Sequence, residues 1–247
     1  MNRKQIYRAI FFDAGGTLIR QEPSLLRTLI SFFEARNVFL TIDEAEAAVR
    51  RCRKWAEEQS ARELSGSPQM PHKIFLRRMY NEGLKTVAAS PPDRDTWEIT
   101  DNYLSFSESR RTWKAVPEAH KTLSSLTEYG YKIGLISNFN ESLPSILHNQ
   151  GLLDYFGAVV VSELVGVEKP DPEIMHIACR EVKIQPRESL YVGNEPSDVL
   201  CAKKAGMSAA WICDEEKTFP DSVSYDPDYR IESITDVLKI TGVCNNN

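Results

Sequence analysis

Short apolar runs alternate with segments of helical periodicity in the second half of the chain. After a first run at Tyr7–Phe12, further runs occupy 132–136, 158–161, 189–192 and 209–213. Runs this short that end at glycine or polar residues are typical of buried strands. Helical segments at 117–129, 142–148, 172–182 and 196–205 separate them. Strands that alternate with helices predict an α/β fold with a parallel sheet covered by helices on both faces.

The segment between residues 20 and 114 has a different pattern, with helical spacing and almost no strand signal. Apolar residues from Leu25 to Phe33 recur at helical spacing, and Thr41-Ile-Asp-Glu44 has the capping-box pattern that begins a helix reaching Leu64. Residues 72–84 and 96–106 are also predicted to be helical, with turns at 65–68 and 90–92. The sequence therefore predicts a helical domain, residues 20–114, inserted into an α/β domain of residues 1–19 and 115–247.

Composition narrows the class of protein. The 247 residues carry a net charge of −5, which argues against a nucleic-acid partner. Five cysteines without a CxxC pair argue against a disulfide framework or a zinc site and favour a reducing compartment. The first apolar run is too short for a signal peptide, and no stretch has the length of a membrane span. We expect a cytoplasmic protein that acts on a small molecule and binds neither nucleic acid nor membrane.

Candidate chemistry lies where the predicted strands end, because ligands of open parallel sheets bind beyond the carboxyl ends of the strands. Those positions hold Asp13, Ser137, the loop to Lys169, and the segment from Asn194 to Asp198. A carboxylate can be a covalent nucleophile, and a transferring phosphoryl group needs positive charge and hydrogen-bond donors around it. Lys169 and a Mg²⁺ ion held by Asp13 and Asp198 could supply that charge, and Ser137 could donate a hydrogen bond.

Four stretches, FFDAGGT, GLISN, VGVEKPDPE and YVGNEPSDVLCAKKAG, follow one another in this order. Together they resemble the four motifs of the haloacid dehalogenase-like (HAD) hydrolase superfamily. The spacing and the helical insert are similar as well, so that the resemblance covers essentially the whole chain. It implies a Rossmann-like core and an α-helical C1 cap, as in subfamily IA. Any one stretch alone would be a weak signal.

The resemblance also implies roles for individual residues. Asp13 would be the nucleophile and a metal ligand, and Ser137 would bind the transferring group. Lys169 would stabilise both the transferring group and the nucleophile, and Asp198 would support Mg²⁺. Two further residues are expected at the substrate site, Thr17 in the nucleophile loop and Asn138 next to Ser137.

The sequence departs from the family pattern at two positions. Gly15 stands where phosphatases of the superfamily usually have a second aspartate, a general acid and base whose help is typically worth about 10²–10⁴-fold in rate. The backbone carbonyl of Gly15 remains available as a metal ligand. Asn194 stands where the fourth motif usually has aspartate, so that either Asn194 or the adjacent Glu195 would complete the metal site.

These departures leave three functions open. The first is a Mg²⁺-dependent phosphatase acting on a small phosphate ester. The second is a metal-independent 2-haloacid dehalogenase, because dehalogenases of the superfamily also lack the second aspartate and carry a Ser-Asn pair in the second motif. Phosphonate-cleaving relatives lack it too, but they use a cap lysine that the sequence does not identify here. The third is a binding or regulatory protein with impaired catalysis, which Gly15 supports and Asp13, Ser137 and Lys169 oppose.

Overall fold

The strand Ala9–Phe12 is apolar at every position and completely buried, as expected for a strand with neighbours on both sides. The structure, a computed structural model, describes residues 7–64, 66–68, 70–87, 96–213, 219–220 and 223–243. The chain divides into two compact units, one of residues 1–20 and 113–247 and the other of residues 21–112. We call them the α/β unit and the helical unit.

The elements are as follows. The strands are β1 (Ala9–Phe12), β2 (Ile19–Glu22), β3 (Thr112–Ala115), β4 (Lys132–Ser137), β5 (Ala158–Val161), β6 (Ser189–Gly193), β7 (Ser208–Ile212) and β8 (Tyr229–Ile231). The helices are α1 (Leu25–Glu34), α2 (Ile42–Leu64), α3 (His72–Val87), α4 (Thr96–Arg110), α5 (Ala119–Glu128), α6 (Leu143–Asn149), α7 (Ser162–Val165), α8 (Glu173–Val182), α9 (Pro196–Lys204) and α10 (Asp236–Thr241).

Six strands of the α/β unit form one parallel sheet in the order β5-β4-β1-β6-β7-β8. Phe12 of β1 is in register with Leu135 of β4 and Val192 of β6. A Cβ atom at Gly134 would lie 2.5 Å from the Phe11 ring, so that only glycine lets β4 pack beside β1 here. The predicted α/β class with a parallel, Rossmann-like sheet is confirmed.

The helical unit is held together by α1 to α4. Phe32 contacts Tyr103 edge to face, with ring centroids 5.2 Å apart, and Tyr80 packs on Tyr103 at the same distance. The capping box at the start of α2 is confirmed, since the Thr41 N–H donates to Glu44 at 2.8 Å and the Glu44 N–H donates to the Thr41 hydroxyl at 3.3 Å. Among the described helices none is both long enough and apolar enough to cross a membrane.

Several elements differ from the sequence prediction. Strands β2 and β3, which pair with each other, and β8 and α10 were not predicted, because each is short and carries polar residues. The last predicted strand, 209–213, is displaced by one residue in β7. Gly66 lies in a turn as predicted, whereas the predicted turn at 90–92 lies outside the described residues. The helical unit begins at residue 21 and ends at 112, against the predicted 20 and 114.

Candidate active site

Three adjacent strands bring polar residues to one edge of the sheet. Asp13 directly follows β1, Ser137 is the last residue of β4, and Asn194 directly follows β6. Strands β4 and β6 both pair with β1, and all three run in the same direction, so that their carboxyl ends meet. The Asp13 N–H donates to the Val192 carbonyl at 2.9 Å, which continues the sheet pairing to the aspartate itself.

The two carboxylate oxygens of Asp13 have different surroundings. Oδ1 accepts a hydrogen bond from the Ser137 hydroxyl at 2.9 Å and another from the Lys169 ammonium at 2.8 Å. Oδ2 accepts no hydrogen bond from the part of the chain that the structure describes. The side chain is 8% exposed, and Oδ1 therefore anchors the carboxylate while Oδ2 keeps its lone pairs for another partner.

The Lys169 ammonium lies between two carboxylates. Besides Asp13, it contacts Asp198 Oδ1 at 2.6 Å and the Tyr191 hydroxyl at 3.0 Å, and the lysine side chain is only 5% exposed. Burial alone would lower the pKa of Lys169, but the charges of Asp13 and Asp198 raise it well above its usual value. Burial raises the pKa of Asp13; the charge of Lys169 opposes this rise and the charge of Asp198 adds to it. The lysine therefore stays charged and neutralises part of the negative charge around it.

Asp198 uses both of its oxygens within the protein. Oδ1 accepts from Lys169, and Oδ2 accepts from the Glu195 N–H at 2.9 Å. The second bond is half of a capping box at the start of α9, in which the Glu195 side chain accepts from the Asp198 N–H. Glu195 is exposed, and its Oε1 also accepts from the Asn194 side-chain amide at 3.1 Å.

The loop after Asp13 approaches Asn194 closely. The Thr17 hydroxyl donates to Asn194 Oδ1 at 3.1 Å. Gly16 has a φ of +80°, and a Cβ atom there would lie 2.9 Å from the Asn194 Nδ2 atom, so that glycine is required. A Cβ atom at Gly15 would meet nothing within 4 Å. The position that the sequence marked as lacking an acid therefore borders open space.

Asn138 binds the backbone of Lys169 through both ends of its amide. Its Nδ2 donates to the Lys169 carbonyl at 2.9 Å, and its Oδ1 accepts from the Lys169 N–H at 2.8 Å. Sequence reasoning expected this side chain beside a substrate. In the structure both hydrogen bonds that its amide makes are to the Lys169 backbone.

Sequence reasoning missed two side chains of the site. The Tyr191 hydroxyl accepts from Lys169 and donates to the Ile136 carbonyl at 2.8 Å, inside the core. The Trp211 indole N–H donates to the Asn194 carbonyl at 3.0 Å. The tyrosine hydroxyl between the apolar residues Leu190 and Val192 could have marked Tyr191, since a buried polar group needs a partner. Nothing near Trp211 in the sequence points to the site.

The oxygen donors around Asp13 fit Mg²⁺ better than a softer metal. Asp13 Oδ2, the Gly15 carbonyl and Asn194 Oδ1 are oxygens, and the Gly15 carbonyl accepts no backbone hydrogen bond from the described residues. Mg²⁺ usually takes one or two carboxylates and fills its remaining positions with water. No cluster of three or more histidine, cysteine, aspartate or glutamate side chains suited to a metal occurs among the described residues. A Mg²⁺ site formed by the described residues would therefore have fewer than three carboxylate ligands, as Mg²⁺ sites commonly do.

Comparison with known proteins shows which family the chain resembles. The model of a protein family described as "Hydrolase: haloacid dehalogenase-like hydrolase" matches residues 7–206. Pyrophosphatase PpaX of Bacillus velezensis is 32% identical over 59% of this chain and 69% of its own length. Phosphoserine phosphatase of Thermus thermophilus is 29% identical over 66% of this chain and 64% of its own length. The magnesium-bound HAD-hydrolase YfnB from Bacillus subtilis shares the fold with a TM-score of 0.72 and 19% identity, over 95% of this chain and 98% of that one.

Proposed function

We propose that this chain, which belongs to the haloacid dehalogenase-like hydrolase family, is a phosphatase that cleaves a small phosphate monoester through an aspartyl-phosphate at Asp13. The observation that carries the proposal is the difference between the two oxygens of Asp13. Ser137 and Lys169 fix Oδ1, while Oδ2 accepts no hydrogen bond from the described residues. A carboxylate held in this way presents one oxygen to an electrophile. The phosphatase names of its relatives support phosphorus as that electrophile.

The reaction would proceed in two steps. Asp13 Oδ2 forms a bond to phosphorus while the bond from phosphorus to the ester oxygen breaks, and that oxygen leaves with the electron pair and takes a proton from water. A water molecule then attacks phosphorus, the bond to Asp13 breaks, the carboxylate is restored, and the proton of the water passes to solvent. The Lys169 ammonium and the Ser137 hydroxyl donate hydrogen bonds to the Asp13 carboxylate, and from these positions they would stabilise negative charge on the phosphoryl oxygens.

Mg²⁺ is the cofactor that we propose, as phosphatases of this family generally use it. Asp13, the Gly15 carbonyl and Asn194 would hold it, and it would supply positive charge beside the phosphoryl group. Both oxygens of Asp198 already have partners, so we assign Asp198 to Lys169 and to the start of α9 rather than to the metal. Of the two remaining candidates we choose Asn194, because its Oδ1 contacts Thr17 in the loop that follows Asp13, whereas Glu195 takes part in the capping box of α9.

Gly15 would make the enzyme slow with poor leaving groups. Without an acid at this position an alkoxide must leave unprotonated, and the lost general acid–base help corresponds to about 10²–10⁴-fold in rate. The groups around Asp13 would recognise the phosphoryl group, which all phosphate esters share. We therefore assign the choice between esters to the helical unit of residues 21–112, acting as the cap.

The second candidate function is cleavage of a carbon–halogen bond. Two neutral residues favour it, Gly15 and Asn194, because a halide leaves without a proton and a metal is not needed for its departure. Asp13 Oδ2 would then attack carbon instead of phosphorus, and water would hydrolyse the resulting ester. Loss of both activities would leave a binding or regulatory protein as the third candidate.

The experiment that separates these functions measures release of phosphate and of halide. The native chain, Asp13→Asn and the control Asp154→Asn, which changes an exposed aspartate of the α/β unit, are assayed on small phosphate esters and 2-haloacids, with Mg²⁺ or with EDTA. The proposal predicts phosphate release that needs Mg²⁺, is lost in Asp13→Asn and persists in Asp154→Asn. Halide release that persists in EDTA would establish the dehalogenase. If the folded chain releases neither phosphate nor halide, the remaining candidate is a binding or regulatory protein.

A further inference from the structure

Lys169 is held in place although it lies in neither a helix nor a strand. It is located between α7 and α8, yet its backbone N–H and carbonyl both bond to the Asn138 amide, at 2.8 and 2.9 Å. A neighbouring strand would satisfy a residue in a sheet in a similar manner, with one donor and one acceptor. Asn138 directly follows Ser137, so the end of β4 fixes the backbone of Lys169 relative to the Asp13 anchor.

The far end of the lysine is fixed independently. An ammonium has three N–H donors, and Asp13, Asp198 and the Tyr191 hydroxyl supply three acceptors within 3.0 Å. Tyr191 is 1% exposed, and its hydroxyl lies 2.8 Å from the Ile136 carbonyl and 3.4 Å from Asp198 Oδ1. We assign its proton to the nearer acceptor, Ile136, which leaves an oxygen lone pair for the lysine. The direction of this hydroxyl is thus set by the same strand, β4, that carries Asn138.

We propose that Asn138 and Tyr191 are positioning residues that hold Lys169 from its backbone and from its ammonium, respectively, and that neither contacts the substrate. The inference rests on the proposed function, because it concerns the delivery of the Lys169 charge to the group bound at Asp13. A residue that acts through the lysine should affect the transition state more than the binding of the ester, since the charge is needed most as the phosphoryl group transfers.

The first test separates kcat from KM in Asn138→Ala and Tyr191→Phe. A misplaced catalytic group can reduce the rate by about 100-fold, and we expect kcat to fall by about 10- to 100-fold while KM changes by less than about threefold. The order of preference among phosphate esters should stay the same. A rise in KM with a changed preference at Asn138→Ala would instead establish contact with the substrate and overturn the inference for that residue.

Tyr7→Phe is the matched control for the tyrosine. Tyr7 is also buried in the α/β unit, and its hydroxyl bonds to the Tyr229 hydroxyl at 2.9 Å, but neither group is part of the site. This variant loses the partly buried hydrogen bond to Tyr229 and should keep kcat. If Tyr191→Phe behaves like Tyr7→Phe while the native chain releases phosphate in an Asp13-dependent reaction, the positioning role is refuted and the proposed function stands.

A second test needs no turnover, so it remains decisive if the proposed function fails. In protein prepared with ¹⁵N-labelled lysine, the buried ammonium of Lys169 should give a slowly exchanging NMR signal. Tyr191→Phe should broaden or remove this signal, and Tyr7→Phe should leave it in place. Amide hydrogen exchange of the peptide that contains Lys169 should accelerate in Asn138→Ala, because the Lys169 N–H loses its acceptor. An unchanged ammonium signal together with unchanged exchange would overturn the inference.

Discussion

Removal of the Lys169 charge is the perturbation with the largest effect on stability that the site predicts. Lys169→Met leaves Asp13 and Asp198 without their shared cation, and these carboxylate side chains are only 8% and 1% exposed. Removing one partner of a buried ion pair typically destabilises a protein by about 3–5 kcal/mol, because the remaining charge stays buried. One lysine serves two carboxylates here, so we expect a loss at the upper end of that range.

Urea unfolding in EDTA, followed by tryptophan fluorescence, would measure the loss. Lys203→Met is the control, since Lys203 forms an ion pair with Asp228 at 2.8 Å but the two side chains are 24% and 35% exposed. An exposed pair of this kind is worth about 1 kcal/mol or less. Equal losses in Lys169→Met and Lys203→Met would refute the view that Lys169 neutralises buried charge.

The stability difference between Lys169→Met and the native chain should depend on pH in a definite direction. Burial raises the pKa of Asp13, and without Lys169 no positive charge opposes this rise, so that the pKa of Asp13 lies further above its value in the unfolded chain. A group with a raised pKa contributes stability at low pH and loses it as the pH rises through the folded-state value. The stability of Lys169→Met should therefore approach that of the native chain as the pH falls from neutral towards 5. A deficit that grows on acidification would contradict this explanation.

Three further outcomes are expected. Asp13→Asn should stop phosphate release but unfold within about 1 kcal/mol of the native chain, because Lys169 keeps Asp198 as its counter-ion and an amide oxygen can still accept at the Oδ1 position; a large loss of stability in urea would contradict this. Gly16→Ala should destabilise the protein by about 1–3 kcal/mol, because position 16 has a positive φ and an added Cβ would contact Asn194. Gly15→Ala should change the stability by less than about 0.5 kcal/mol, since its Cβ would meet nothing within 4 Å. Thermal unfolding of the two variants would test both values. Burial raises the pKa of the Cys201 thiol to about 12, so alkylation at pH 8 should spare it in the folded chain and reach it in urea.

The sequence reveals those strands whose burial is uniform. Strand β1 shows as a continuous apolar run because its side chains are buried on both faces of the sheet, and the position of Asp13 follows from the end of that run. Strand β8 has three residues, Tyr229-Arg-Ile, and lies at the edge of the sheet with one neighbour. An edge strand needs no continuous apolar run, so the periodicity contains no signal for it.

Local sequence pattern likewise predicts some residues of the site and not others. Each residue at a strand end could be located from local pattern, because the strand that carries it also aims it. The partners of Lys169 could not be located in this manner, since Asn138 precedes it by 31 residues and Tyr191 follows it by 22. Contacts over such separations arise from the order of strands in the sheet, which no local pattern encodes. The resemblance to a family supplied the role of Lys169 but not the side chains that hold it.

The covalent role of Asp13 is tested most directly by trapping the intermediate. The native chain is mixed with a phosphate ester that it hydrolyses, quenched in acid, reduced with borohydride and digested for mass spectrometry. An aspartyl-phosphate is an acyl phosphate, which borohydride reduces to an alcohol. The predicted result is conversion of Asp13 to homoserine, dependent on the ester and absent at Asp154. An intact Asp13 throughout, in a chain that releases phosphate during the same incubation, would contradict the covalent mechanism.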